Sequence, residues 1–398
     1  MKYVMIIPDG MGDYPIAEID GKTPLEAARK PFIDELSGNG TIGRCQTVPS
    51  GYYPGSDVCI LSLLGFDPVK YYSGRAPLEA ASLGIPMKVD DLVLRCNLLH
   101  LTDDLKIADH CAGHITTEEA KDIINTLSHE LGNETIQFFP GVSYRHITRW
   151  SSKPDFEAET TPPHDVPGKP MQDHLPRGKD AETLIRMMTE SRKILKDHPI
   201  NLKRKASGKP TADSIWFWGA GYKPRLDTFH DTYGLKGAVI SAVDLIKGLG
   251  SILKLEEIKV PGITGYFDTN YKAKGTYAIN ALKDFDWILI HVEAPDEAGH
   301  VGNLHEKILA IERIDEFIIG PVYNYLKASG EEFRMLITPD HYTPVAIKTH
   351  VNHPVPFLLY GNGIEKQGIP YSEKNAEKTS LFIQDGYKLM PYFLNQNL

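Results

Sequence analysis

The chain predicts an α/β fold: a sheet covered by helices on both faces, with a second, smaller α/β domain inserted into it. Three observations predict it. Apolar runs that end in Pro-Asp occur three times, in "YVMIIPDG", "WILIHVEAPD" (287–296) and "RMLITPDH" (334–341). Such runs have the form of buried parallel strands that deliver a polar residue at their carboxyl ends. Helix-compatible stretches such as "NLHEKILAIERIDEFIIGPVYNYL" (303–326) separate them, as crossovers in a parallel sheet require. Finally, the strand-Asp pattern lies on both sides of a middle region of different character, which an insertion explains better than two domains in series.

The expected division is 1–72 and 211–398 for the sheet domain and 73–210 for the insertion. With 398 residues, 41% of them hydrophobic, the chain can build two cores. Inside the insertion, "TTEEAKDIINTLSHEL" (116–131) opens like a helix start. The Pro-rich "SSKPDFEAETTPPHDVPGKPMQDHLPRG" (151–178) has little apolar periodicity and reads as a long functional loop or partly mobile cover. No repeat of 20–50 residues is visible.

Composition excludes several classes. No stretch approaches the roughly 20 apolar residues of a membrane span, and "MKYVMIIPDG" reaches Pro8 and Asp9 too early for a secretory signal. Four cysteines (Cys45, Cys59, Cys96, Cys111) without CxxC spacing argue against a disulfide framework or thiolate-held zinc and fit a reducing cytoplasm. A net charge of -9 argues against a broad nucleic-acid surface, so anionic substrates need local cations or metals. Oligomeric state has no signature in the sequence.

In parallel sheets ligands sit beyond the carboxyl ends of the strands. Those ends supply Asp9, Asp296 with His300 in "PDEAGH", and Asp340 with His341 in "PDH"; "THVNHPVPF" adds His350 and His353. A Pro-Asp-Gly alone is a common turn and an Asp a common helix cap. Three such motifs at three strand ends point instead to metal binding. Carboxylates with imidazoles suit Mn²⁺ or Zn²⁺, and these seven candidates suffice for two ions. If a helix begins at "DEAGH", Asp296 and His300 share a face.

"YPGSDVCILSLLGFDP" (53–68) places Ser56 and Asp57 before a helix-compatible run. Either residue could cap that helix. Ser56 is also a candidate nucleophile, because a metal pair would activate its hydroxyl and a helix start would hold a phosphate it carries.

From end to end, "IIPDGMGD", "GKTPLEAA", "PGSDVCILSLLGFDP", "YYSGRAPLEAASLGI", "RCNLL", "AGHITTEEA", "GVSYRH", "PPHDVPGK", "VPGITGYFDTNYKAK", "HVEAPDEAGH", "TPDH" and "NHPVPF" follow in order. With them the chain resembles the cofactor-independent (2,3-bisphosphoglycerate-independent) phosphoglycerate mutases, archaeal-type branch, within the alkaline phosphatase superfamily. The resemblance implies an alkaline-phosphatase-like α/β domain with two divalent metals (Mn²⁺ first, with Zn²⁺, Mg²⁺ or Co²⁺ as options), no 2,3-bisphosphoglycerate, and a cap domain that closes over the substrate. It also implies interconversion of 3-phosphoglycerate and 2-phosphoglycerate, a step of glycolysis and gluconeogenesis, through a phosphorylated Ser56.

Carried over by motif, Asp9, Ser56, Asp340 and His341 hold one metal, and Asp296, His300 and a histidine of "THVNHPVPF" the other. The family places that histidine four residues before the Pro of "PVPF", which selects His350 over His353. The substrate's carboxylate and phosphate need cations, for which Arg75, Arg95, Arg145 and Arg225 are the candidates. Asp109, His114 and His146 are candidates for handling hydroxyls or protons. One departure is "VPSGYYPGSDVCILS", which resembles a homoserine kinase-like bacterial subgroup; phosphoryl transfer to another small alcohol is therefore the alternative activity.

Overall fold

Every residue from Val4 to Ile7 is fully buried, so the first apolar run lies inside a sheet covered on both faces. The computed structural model describes residues 1–395. In chain order its strands are β1 (Lys2–Pro8), β2 (Thr41–Cys45), β3 (Leu92–Leu101), β4 (Ile107–Asp109), β5 (Ile136–Phe139), β6 (Arg145–Trp150), β7 (Ser214–Tyr222), β8 (Gly237–Ile240), β9 (Glu256–Glu257), β10 (Trp287–Val292), β11 (Phe333–Ile337), β12 (Val355–Gly361) and β13 (Phe382–Ile383). They fall into two compact units, Met1–Tyr72 with Leu226–Leu398, and Ser73–Arg225.

The first unit holds an eight-stranded sheet in the order β13-β2-β12-β11-β1-β10-β8-β9. Within it β12 alone runs against the others, pairing antiparallel with β11 and β2. Val4 and Ile6 face one apolar cluster, shared with Ala310, Ile311, Ile314, Ile318 and Val322 of the long 304–329 helical stretch. That stretch, read as helix-compatible from the sequence, passes through a π-helical turn at Asp315–Ile319 just before Pro321, whose missing N–H a regular ladder cannot use. The turn sets Asp315 beneath the helix Pro31–Gly38, where its carboxylate accepts from the Phe32 and Ile33 amides at 3.2 and 2.7 Å.

The second unit is a smaller antiparallel sheet in which β3 pairs with β6, β7 and β4. Helices Thr117–Leu131 and Ala181–Lys196 supply Ile123, Leu127, Leu184 and Met188 to its core. The first of these helices opens with a capping box: Thr116 accepts from the Glu119 amide at 3.2 Å while Glu119 reaches back to the Thr116 amide. The Pro-rich segment is a packed strap, with Val166 and Met171 buried and the Thr161 carbonyl accepting from Trp216 Nε1 at 2.7 Å. This unit runs past the boundary expected at 210, because β7 pairs with β3 along Leu92–Leu99.

Candidate metal centre

The strands β10, β1 and β11 are parallel neighbours, so their carboxyl ends open on one edge. Asp9 follows β1; the helix Ala294–Val301, which carries Asp296 and His300 on one face, follows β10; Asp340 and His341 follow β11. Because β12 runs the other way, the residues before it reach this same edge, and they include His350. From the end of β2 the chain passes to the helix Ser56–Leu63, whose N-cap position is Gly55. Neither Ser56 nor Asp57 caps this helix, contrary to that reading of the sequence. Ser56 is its first residue and points its Oγ to within 3.2 Å of His341 Nε2 and 3.5 Å of Asp9 Oδ2.

Four groups of ligand atoms meet here: Asp296, His300 and His350; Asp9, Asp296 and His341; Asp9, His291 and Glu293; and Glu293, Asp296 and Glu297. Asp296 Oδ2 lies 3.2 Å from His300 Nε2, and its Oδ1 3.3 Å from His350 Nε2. Asp340 Oδ2 lies 3.3 Å from His341 Nε2, while its Oδ1 accepts from the amides of Gly10 and His341. His353 stands apart, 3.5 Å from Glu377 and packed on Tyr342. Gly10 is required: at φ +59° a Cβ there would stand 2.5 Å from Asp296 Oδ1 and Thr343 Oγ1.

The residues present fit divalent cations. Asp9 Oδ1 and Asp340 Oδ2 are buried without a hydrogen-bond partner among the described residues, a costly state for carboxylates unless a cation completes them. Burial, then the Asp340, Glu293 and Asp296 carboxylates, push Asp9 well above the usual carboxylate range. Against the pull of burial, hydrogen bonds from His300 and His350 hold Asp296 well below it, and the Asp296 contact raises His300 to about 9. Mixed carboxylate and imidazole donors suit Mn²⁺ or Zn²⁺ rather than Ca²⁺.

Supporting residues that the motif reading missed surround these. Thr343 Oγ1 donates to Asp296 Oδ1 and lies 3.1 Å from His341 Nδ1. Lys307, fully buried, donates to Asp13 Oδ2 at 3.0 Å and to the carbonyls of Gly12 and Thr343 at 3.2 and 2.8 Å, so it clamps the loop after β1 to the loop after β11. His291 contacts Asp9 Oδ2 at 2.8 Å, and burial brings its pKa down to about 3. Glu293, half-buried beside Asp296, is pushed up to about 8 by desolvation and then by the Asp296 carboxylate. Both stand in the quoted run "WILIHVEAPD", His291 inside β10 and Glu293 just after it, where their role shows only beside β1.

The remaining candidates lie in the second unit. Arg95 is buried, its guanidinium 4.0 Å over the Trp218 ring and its Nε 3.0 Å from Glu79. Burial brings its pKa down to about 10; Glu79 opposes this, and the charges of Arg75 and Arg145 add to it. Arg75 also faces Glu79, at 3.5 Å, and Arg145 has no ion-pair partner among the described residues. His164, absent from the candidates, stacks edge-on against Trp218 at 5.1 Å. His114 is exposed in a turn at φ 48°, and Arg225 is exposed. Two candidates have local structural partners. Asp109 is a turn organiser that accepts from the amides of Cys111 and Gly113 at 2.9 and 2.7 Å and from the Cys111 thiol. His146 is a buried wall residue of β6 opposite Cys96, its Nδ1 accepting from the Gly141 amide at 3.0 Å.

Among the described residues no helix is long and apolar enough to cross a membrane. The family model described as 2,3-bisphosphoglycerate-independent phosphoglycerate mutase matches residues 38–201. The chain is 48% identical over 379 residues, 95% of each chain, to the enzyme of that name from Methanosarcina acetivorans. It is 46% identical over 401 residues, the whole of both chains, to a probable enzyme of that name from Geobacter sulfurreducens. Its fold superimposes on the cofactor-independent phosphoglycerate mutase of Thermoplasma acidophilum with a TM-score of 0.69 at 28% identity, covering 99% of each chain. Full-length identity near one half, together with the strand-end ligand groups around Ser56, places this chain in the family of 2,3-bisphosphoglycerate-independent phosphoglycerate mutases.

Proposed function

We propose that this chain interconverts 3-phosphoglycerate and 2-phosphoglycerate through a phosphorylated Ser56 beside a pair of divalent metal ions. The observation that carries this reading is the position of Ser56 Oγ, 3.2 Å from His341 Nε2 and 3.5 Å from Asp9 Oδ2, at the start of a helix. Asp9, Ser56, Asp340 and His341 would hold one ion, and Asp296, His300 and His350 the other. When bound, two such ions, Mn²⁺ foremost, neutralise phosphate charge and lower the pKa of the serine hydroxyl.

Ser56 Oγ forms a bond to phosphorus as the bond from phosphorus to the glycerate oxygen breaks, and the serine proton passes overall to that oxygen. The return step reverses this at the neighbouring glycerate hydroxyl, so no nucleotide is consumed. Phosphorylated Ser56 lies at the positive end of the helix Ser56–Leu63, which favours the added charge. Within the second unit, Arg75, Arg95 and Arg145 are the proposed carboxylate-binding set, since planar guanidinium groups suit a carboxylate. All four cysteines are free, which suits the cytoplasm as the place of action.

The test is a coupled assay for 2-phosphoglycerate formation from 3-phosphoglycerate without 2,3-bisphosphoglycerate, beside an assay with ATP and homoserine. Turnover in the first alone supports the proposal. ATP-dependent phosphorylation of homoserine with no isomerisation overturns it in favour of the kinase-like alternative.

A further inference from the structure

We infer that His291 is a positioning residue whose Nε2–H, fixed in that tautomer by Ser241, holds Asp9 Oδ2 so that Asp9 offers a metal only its Oδ1. The inference rests on the reading of Asp9 as a metal ligand and goes beyond it by assigning the residue that orients this ligand.

His291 is fully buried near the end of β10, where it pairs in register with Ile7 of β1, two residues before Asp9. Its ring bridges two polar partners. Ser241 Oγ lies 3.1 Å from Nδ1 and also accepts from the Val243 amide at 3.0 Å. With that amide donating into the oxygen, the hydroxyl proton is free to point at Nδ1, which then accepts. The proton of the neutral ring therefore sits on Nε2.

The other end of the ring requires the same tautomer. Nε2 lies 2.8 Å from Asp9 Oδ2 and 3.5 Å from Glu293 Oε2. With Asp9 ionised as a metal ligand, the reverse tautomer would aim an imidazole lone pair at its carboxylate oxygen. One N–H serves one acceptor well, and the shorter contact gives it to Asp9. Lys274 Nζ donates to the His291 carbonyl at 2.7 Å and fixes the backbone that carries the ring.

His341 shows the opposite arrangement. Thr343 Oγ1 gives its proton to Asp296, so it accepts from His341 Nδ1–H, and His341 Nε2 keeps a lone pair for a metal. Of the two buried imidazoles that flank Asp9, one is set to donate and the other to ligate. Without the His291 contact, Asp9 Oδ2 is free to swing toward Ser56 Oγ, 3.5 Å away, or to bind a metal through both oxygens.

The experiment is Mn²⁺ binding, followed by electron paramagnetic resonance and chelator competition, on wild type, His291→Leu, His291→Gln and Ser241→Ala. Wild type is expected to bind two equivalents. His291→Leu should weaken one of the two by about 10–100-fold, as losses of outer-shell partners do, and leave the other unchanged. His291→Gln, whose side-chain amide can donate from nearly the same point, should restore most of the affinity. Ser241→Ala frees the tautomer with little change of volume and should weaken the same equivalent, so the test stands even if His291→Leu fails to fold. Unchanged affinities in both His291→Leu and Ser241→Ala overturn the inference, as does an equal fall at both sites or a glutamine variant no better than leucine. Three equivalents in wild type would make His291 a ligand and also overturn it. A wild type that binds no divalent ion removes the metal reading of the site, and this inference with it.

Discussion

His300 and His350 bring their Nε2 atoms within 2.9 Å of each other across the carboxylate of Asp296. Two ring nitrogens so close around one carboxylate make a site in which a divalent cation satisfies both lone pairs at once. Removing divalent ions is therefore expected to lower stability as well as activity. Restoring Mn²⁺ to 100 times its Kd should return about 2.7 kcal/mol, read as a rise in Tm, with a smaller rise for Ca²⁺. An unchanged Tm after exhaustive chelation would count against the centre.

Ser56→Ala removes the nucleophile but only one of several donors around Asp9 and His341. Mutase turnover should fall by roughly a thousandfold or more, with Mn²⁺ content and the far-ultraviolet circular dichroism spectrum kept. Intact-mass measurement after brief exposure to 3-phosphoglycerate should find a phosphate adduct on wild type alone; full turnover by the alanine variant would refute the covalent route.

Lys307→Met breaks the clamp between the loops after β1 and β11 and leaves Asp13, which is buried, without its cation. The expected loss is about 3–5 kcal/mol, measured by urea unfolding. Adding Asp13→Asn should recover part of it, because the stranded charge is then gone. Equal stability of wild type and the single variant would show that the clamp contributes nothing net.

His146 gives an acid-sensitive contribution. Burial, then the charge of Arg145, brings its pKa down from 6.5 to about 3. Between those values the unfolded chain binds a proton that the folded chain does not, so stability is full above pH 6.5 and falls as the pH drops toward 3. The effect is on the order of a few kcal/mol. Three of the four tryptophans, Trp150, Trp216 and Trp218, lie in the same unit, so intrinsic fluorescence reports its unfolding. His146→Asn keeps an acceptor for the Gly141 amide and should flatten the acid limb; an identical limb in the variant would assign the sensitivity elsewhere.

What could be read from the sequence follows strand direction. Asp9, Asp296 and Asp340 were legible because each follows an apolar parallel strand, and such strands share one functional edge. Spacing alone did not separate His350 from His353. That choice depends on how the chain turns before β12, where one ring enters the cluster and the other packs on Tyr342. His291 was hidden because a polar residue inside "WILIHV" is noticed only once its neighbour in β1 is known. The strand β7 was placed in the wrong domain for the same reason, since "SIWFWGAGY" would suit either sheet and only its pairing with β3 decides.

The order β11-β1-β10 has a consequence for synthesis. Strand β1 leaves the ribosome first, yet both of its neighbours are encoded after residue 286. At roughly 5–20 residues per second it waits tens of seconds for them. The unit spanning Ser73–Arg225 is complete well before that. A nascent chain thus carries one finished body and, ahead of it, one unpaired and largely apolar strand, and that strand is where a chaperone would be needed during translation.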